Sequence, residues 1–278
     1  MNIAPTVIDV ICPVYNHAKF IDQCIKSILD QEEVFVIIHL IDDASTDESS
    51  KIIKDFSQKN PAQIKGYYNQ INYGNAVSSI AANELDLKGE YWTYIEGDDF
   101  LLNSRKFILQ IERLREDKKL IATATRCVFW DTRKDLKDVI KPDLIRWNFY
   151  DLLTKKSVSK MYCHISSIVW KNETHRIRHH LSPLKKLRTY ESESEVFLVH
   201  KILKESKKYI EFQDIEGSCY RYTGSGIWSG LDQESQETIN RNLEINIDLI
   251  IPTRFKFKMK LINYFFNPNR QETCTTKC

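Results

Sequence analysis

Residues 90–101 read EYWTYIEGDDFL. Tyr91 to Ile95 is a short apolar and aromatic run, of the length of a buried strand rather than a core helix. It stops at Glu96-Gly97-Asp98-Asp99, where three carboxylates stand within four residues. Charges of one sign packed that tightly repel unless something positive sits among them, and a hard divalent cation with oxygen ligands is the simplest such group. Bound phosphates would share that cation. Acidic and polar side chains also cap helix N-termini. That reading suits Ser45 and Asp47 well and explains this cluster poorly.

Upstream, strand and helix patterns alternate. Val7 to Cys12 reads as a strand, and Phe20, Ile21, Cys24, Ile25, Ile28 and Leu29 then recur at helical spacing. Val34 to Ile41 is a buried-strand run. Ser45 or Thr46 is placed to cap a helix carrying Ile52, Ile53 and Phe56 inward. Tyr67-Tyr68 makes a short strand, and Ala76, Val77, Ile80, Ala81 and Leu85 mark a helix. Beyond the acidic cluster, Asn103 is placed to cap a helix bearing Phe107, Ile108, Ile111 and Leu114. Such alternation implies a mostly parallel sheet covered on both faces, with ligands at the carboxyl ends of the strands. Those ends carry Pro13-Val14-Tyr15-Asn16, Asp42-Asp43-Ala44-Ser45-Thr46-Asp47 and Glu96-Gly97-Asp98-Asp99.

Downstream the pattern is less regular. Leu120 to Trp130 and Tyr162 to Trp170 read as strands, and Val196, Phe197, Val199, His200 and Leu203 form a helical stripe. Residues 231–251 read as a further helix with Ile239, Leu243, Ile247 and Ile250 on one face. The organisation expected is a first half over 1–118, a second over 119–230, a helix over 231–251 and a tail over 252–278, with one sheet running through both halves.

Composition narrows the class. The chain has 278 residues, enough to bury a substantial core. A net charge of +2 is too small to imply nucleic-acid binding. The 7 cysteines are odd in number and scattered, which argues for buried free thiols in a reducing compartment over a disulfide scaffold. Met1 to Thr6 lacks a basic leader, Asp9 breaks the apolar run that follows, and no stretch is apolar enough to span a membrane. The expectation is a cytoplasmic protein, with peripheral contact at the inner face of the membrane left open.

Four segments together resemble the family 2 glycosyltransferases of the GT-A fold: ICPVYNHAKFIDQCIKSILDQ, LIDDASTDESS, NQINYGNAVSSIAANELDLKGEYWTYIEGDDFL and CYRYTGSGIWSG. They stand in the family's order. The likeness is close over residues 7 to about 115 and looser over 160–230. It implies an α/β GT-A fold and an inverting transfer of a hexosyl or N-acetylhexosaminyl group. The donor would be a nucleotide-sugar, usually a UDP-sugar, and the acceptor a glycan or lipid-linked molecule in surface polysaccharide synthesis. The resemblance also implies Mg2+ or Mn2+. On it, Pro13, Tyr15 and Asp43 match positions around the nucleotide base, Asn72 and Gly74 the donor-side loop, Asp98 a residue near the ribose, and Asp99 the metal ligand. Glu96 stands where the family often has the first Asp of its Asp-any-Asp motif. Tyr220-Arg221 and Gly226-Ile227-Trp228-Ser229 match a segment that closes over the diphosphate and acceptor, and glycines either side of Trp228 favour a flexible lid. Arg221 reads equally as a surface ion-pair partner.

The family places an acidic general base just before a helix in the second half. Aligning Val196-Phe197-Leu198 with that helix puts Glu193 there, with Glu191 and Glu195 two residues either side. An acidic first turn that complements the helix dipole accounts for at least one of the three. His164 reads as a packed histidine. His175, His179 and His180 lie in a basic loop with no zinc pattern. That loop and the tail from Arg254 to Lys260 are the segments that could meet an anionic membrane surface. Two other classes compete. A nucleotidyltransferase would carry a glycine-rich basic loop after the first strand, and PVYNHAKF has no glycine. A non-catalytic nucleotide-sugar or carbohydrate-binding protein on the same fold is the alternative, and Glu96 in place of Asp points mildly that way.

Overall fold

The computed structural model describes residues 5–74, 85–154, 163–174 and 195–223, with positions 232, 234, 235, 237 and 238. Its first strand, β1 (Thr6–Val14), is buried on both faces over most of its length. That is why its sequence is apolar almost without alternation. β2 (Val34–Asp42), β3 (Ile64–Tyr68) and β4 (Tyr91–Tyr94) share this parallel half of the sheet, in the order β3-β2-β1-β4. Even-numbered Ile8, Val10 and Cys12 pack with Ile21, Cys24, Ile25 and Ile28 of α1 (Ile21–Leu29) and with Phe107, Ile111 and Leu114 of α3 (Lys106–Glu116). Ile11 joins the opposite cluster with Trp92, Trp170 and Ile202. Strand side chains alternate across the sheet, so one strand serves two cores. Each fully buried Ile or Phe contributes about 1.5–3 kcal/mol relative to exposure.

Asp9, the polar break in that strand, is fully buried and paired. Its Oδ1 meets His39 Nε2 at 2.7 Å, and its Oδ2 accepts the Gly89 amide at 2.5 Å. A side chain at Gly89 would strike the Val7 carbonyl at 2.7 Å, so the close approach needs glycine.

The second half extends the same sheet. β6 (Leu120–Asp131) and β10 (Tyr209–Tyr222) run parallel, while β9 (Ile168–Lys171) joins β4 to β6 antiparallel to both. The short β5 (Phe100–Leu101) closes the edge on β10. β7 (Leu136–Ile140) pairs with β6, and β8 (Arg146–Asn148) with β10. α2 (Ser49–Lys59), α4 (Phe149–Thr154) and α5 (Glu195–Ser206) complete the described elements. Arg113 of α3 holds Glu211 of β10 through Nε and Nη2, at 2.5 and 3.0 Å.

The α/β reading and the continuous sheet hold, and the sheet is mixed. Tyr162–Trp170 departs from the expected strand: His164 is extended, Ile165–Ser167 forms a 3-10 turn, and the strand begins only at Ile168. Ser45 and Thr46 do not cap α2, because both are bonded to Asn16, and Asp47 accepts the Ser49 amide instead. Asn103 accepts the amide of Arg105, one residue before α3. Cys12, Cys24, Cys127 and Cys219 are buried free thiols, as expected, and Cys163 is a partly buried one. No helix of the described residues is long and apolar enough to cross a membrane. The expected helix at 76–85 falls almost wholly outside the described residues, as does nearly all of 231–251.

Lys106 opens α3 fully buried, and its Nζ has no hydrogen-bond partner among the described residues. Burial lowers its pKa from 10.5 to about 7. A lysine whose folded pKa is depressed destabilises the fold most at and below that folded value. The cost fades as pH rises toward the unfolded value. Lys106→Met should therefore stabilise the protein near pH 7 by about 2–4 kcal/mol. Urea denaturation at pH values stepped from 7 toward 10.5 should show wild type and variant converging.

Candidate functional site

The acidic turn hangs from the end of β1. The Ile95 amide donates to the Ile11 carbonyl and the Gly97 amide to the Pro13 carbonyl, both at 3.0 Å. Gly97 lies so close to β1 and α1 that an added Cβ would meet His17 Nδ1 at 2.9 Å and Val14 Cγ2 at 3.0 Å. The turn that presents Glu96 and Asp98 thus passes so close to these side chains that any larger residue at Gly97 would have to displace them.

Asp99 points inward and is fully buried. Its Oδ1 accepts the Arg221 amide at 3.0 Å, and its Oδ2 has no hydrogen-bond partner among the described residues. Burial, then the nearby charges of Asp98 and Glu96, push its carboxyl well above the usual range. Asp98 keeps a sliver of exposure; its Oδ1 is likewise unpartnered, and its Oδ2 lies 3.8 Å from His17 Nε2. His164 Nδ1 is 3.9 Å from Asp99 Oδ2 and shares a 2.7 Å hydrogen bond with Ser166 Oγ, which reaches Ser218 Oγ at 2.9 Å. Burial lowers its pKa to about 4, so the ring is neutral near pH 7. This agrees with the packed-histidine reading.

Arg221 departs from the surface ion-pair reading: it lies in β10 and is buried. Its guanidinium donates to the Asp98 carbonyl and to Gln23 Oε1. Its guanidinium carbon lies 4.4 Å from the Phe100 ring centroid and 5.1 Å from that of Phe20. Cation–π contact and two charge-assisted hydrogen bonds hold it in place. The residue clamps the back of the acidic turn to α1.

The second cluster forms around Asp43 at the end of β2. Its amide donates to the Val14 carbonyl at 2.8 Å. Its carboxylate accepts Asn69 Nδ2 at 2.8 Å and the amides of Tyr73 and Gly74 at 2.9 Å each, while Asn72 Nδ2 donates to its carbonyl. Gly74 has φ +55°, a conformation that favours glycine. Beside it, Asn16 Oδ1 accepts the Thr46 amide at 2.8 Å and the Ala18 amide donates to Asp47 at 3.0 Å. Burial alone would raise the Asp47 pKa, but hydrogen bonds from Ser49 and Ala18 outweigh it and lower it. Tyr15 projects from the same edge, 43% exposed.

Pro13, Tyr15, Asp43, Glu96, Asp98 and Asp99 lie at the strand ends from which they were read, with Asn72 and Gly74 bonded to Asp43 and Arg221 bonded to Asp98 and Asp99. Glu191 and Glu193 lie outside the described residues, and Glu195 opens α5. Gln23, Phe100 and Asn69 were not singled out from sequence, and Phe20 was read only as part of a helical stripe. Their partners at the site lie far along the chain, so no local pattern marks that role. The two orphaned carboxylate oxygens suit a cation, although no three His, Cys, Asp or Glu side chains among the described residues form a metal cage.

The model of the family described as Glycosyl transferase family 2 matches residues 9–175, more than half the chain. The chain belongs to that family. It is 35% identical over 99 residues to an uncharacterized glycosyltransferase of Haemophilus influenzae, covering 36% of this chain and 39% of that protein. It spans less than half the length of the curated relatives it matches. The structure of TarS residues 1–349 from S. aureus in complex with UDP-GlcNAc superposes with a TM-score of 0.63 at 14% identity, over 96% of this chain and 74% of that one. A Pyrobaculum calidifontis mannosyltransferase in complex with GDP-Man and Mn2+ gives 0.55 at 16% identity, over 82% and 62%. At such identities these two establish the GT-A fold alone.

If the clamp is a unit, its members are coupled. Arg221→Met should lower unfolding free energy by about 2–4 kcal/mol and Gln23→Ala by about 1 kcal/mol. The double variant should cost little more than Arg221→Met by itself. A double-mutant cycle in urea reads the coupling; simple additivity would dissolve the clamp into independent contacts.

Proposed function

We propose that this family 2 member transfers a sugar from a UDP-sugar to a glycan or lipid-linked acceptor, with inversion, in surface polysaccharide synthesis. The observation that carries the proposal is the pair of buried carboxylate oxygens on Asp98 and Asp99 that have no hydrogen-bond partner among the described residues, at the sheet edge where Asp43 and Tyr15 also stand. Uncompensated negative charge of this kind calls for a bound positive one. A divalent cation held by Asp98 and Asp99, with Glu96 at the rim, would offset charge on the departing diphosphate. The Mn2+ of the mannosyltransferase complex and the UDP-GlcNAc of the TarS complex agree with that choice of ligands.

Pro13, Tyr15, Asn72 and Gly74 would line the nucleotide. Asp43 would act through the loop it holds, since its carboxylate already accepts three protein donors. Arg221 would serve the site from behind, by fixing the acidic turn. Glu193 would take the proton from the acceptor hydroxyl as that oxygen attacks the anomeric carbon, with Glu191 and Glu195 as the rival positions. The second reading, a nucleotide-sugar-binding protein without turnover, draws support from Arg221 and Asp43 being engaged within the protein. Metal-dependent UDP binding without any sugar release would favour it.

Two measurements test the main reading. A panel of nucleotide-sugars with Mg2+ or Mn2+ should give metal-dependent release of UDP from at least one UDP-sugar. On that substrate, Asp98→Asn and Asp99→Asn should each remove most turnover, and Asp99→Asn should leave the fold intact, because its Oδ1 can still accept the Arg221 amide. Glu193→Gln should reduce kcat about a hundredfold or more with donor KM little changed. A larger effect at Glu191 or Glu195 would move the base to that position.

A further inference from the structure

Asp99 Oδ2 faces His164 Nδ1 across 3.9 Å, a gap too wide for a hydrogen bond. The ring's proton goes elsewhere. Nδ1 lies 2.7 Å from Ser166 Oγ. The Ser166 hydroxyl donates to Ser218 Oγ at 2.9 Å, and the Cys127 sulfur is a second acceptor within its reach. A serine whose own proton is committed in this way accepts from Nδ1–H. Asp99, His164, Ser166 and Ser218 are all buried.

The backbone around the ring is fixed. The His164 carbonyl accepts the Ser167 amide at 2.9 Å and the Ser167 hydroxyl at 2.6 Å. The Ser167 carbonyl accepts Gln110 Nε2 at 3.0 Å and Thr125 Oγ1 at 3.3 Å, so α3 and β6 both hold the turn. The ring itself stacks on Tyr220, with centroids 4.5 Å apart. Within this frame one choice remains, whether Nδ1–H turns to Ser166 or to Asp99.

A core built for stability alone would give that proton to Asp99. A buried acceptor without a donor costs stability, and Oδ2 has no hydrogen-bond partner among the described residues. The protein makes the opposite choice, and a neutral serine takes the proton. A donor on Oδ2 would draw on the lone pairs that a cation needs, and its partly positive hydrogen would face that cation. We infer that Ser166 is a positioning residue: it holds the His164 proton away from Asp99 and so keeps Oδ2 open as a ligand for the cation. This rests on the cation reading of the acidic turn given above, and it adds the residue that reserves the ligand oxygen.

Mn2+ binding to the full chain with UDP present, followed by electron paramagnetic resonance, tests it. Ser166→Ala releases the ring to turn to Asp99, and Mn2+ affinity should fall about tenfold. Combining it with His164→Phe, which keeps a ring on Tyr220 but carries no donor, should restore the affinity. Ser218→Ala should bind as wild type does, since Cys127 remains for the Ser166 hydroxyl. A serine that served only the packing would make the double variant the weakest of all. Wild-type affinity in folded Ser166→Ala, no recovery in the double variant, or an equal loss in Ser218→Ala overturns the inference and spares the cation. No bound Mn2+ in wild type removes the cation reading, and the inference with it. Ser166→Gly and His164→Leu stand in for any variant that circular dichroism shows to be unfolded. If those fail to fold as well, the serine is a core residue and the inference falls.

Discussion

The carboxylate of Asp99 does two things that physical chemistry sets against each other. One oxygen is committed to the Arg221 amide at 3.0 Å, and the other is buried with no hydrogen-bond donor among the described residues. The first contact joins residues 122 positions apart and makes β10 part of the acidic turn. The second leaves that turn short of positive charge. A buried carboxylate is tolerated only when its surroundings hold it firmly or when a cation reaches it. Here the holding is supplied by the Arg221 amide, by the Gly97 amide on the Pro13 carbonyl, and by the guanidinium wedged between Phe20 and Phe100. The rest of the site takes its position from that arrangement.

Asp43 shows the same logic at the end of β2. A loop as polar as residues 69–74 has backbone donors to satisfy, and three of its amide groups, two from the backbone and one from Asn69, turn onto a single carboxylate. Tyr73 is thereby fixed beside the end of β1. A residue matched to base recognition by resemblance works in this structure as the hub of a loop, and its influence on a nucleotide would pass through the shape of that loop.

Much of this was legible in the sequence where contacts are local. β1, α1, β2, β4 and α3 follow from periodicity, because each buries a face whose spacing is written in consecutive residues. The strand-end positions of Pro13, Asp43 and Glu96 to Asp99 follow from the alternation of elements. The second half was harder. β10 alternates Ile210 and Phe212 with Glu211 and Gln213, but bulges around Glu216 and Gly217 break the period where it would have been recognised. The strand expected at Tyr162–Trp170 was an apolar run without directional signal, and Ile165–Ser167 within it form a 3-10 turn held by the Ser167 amide and hydroxyl on the His164 carbonyl. Arg221 was matched, together with Tyr220, to a family segment by resemblance. Its fate was decided by Gln23 and Phe100, which no window on the chain contains.

The edge pairing of β5 with β10 bears on how the protein comes into being. Phe100 lies opposite Cys219, and Leu101 opposite Ser218. A chain emerging from the ribosome can assemble β1, β2, β3 and β4 from early residues, since parallel strands in that half need only one another. The acidic turn has been synthesised by then, but its amide anchor and its guanidinium clamp are still more than 100 residues away. Closing so long a loop is slow relative to local structure, and domains generally complete as units during synthesis. The nascent protein thus carries its most charged turn unset until β10 is made, so the negative charges of Glu96, Asp98 and Asp99 remain in water until a partner exists to receive them.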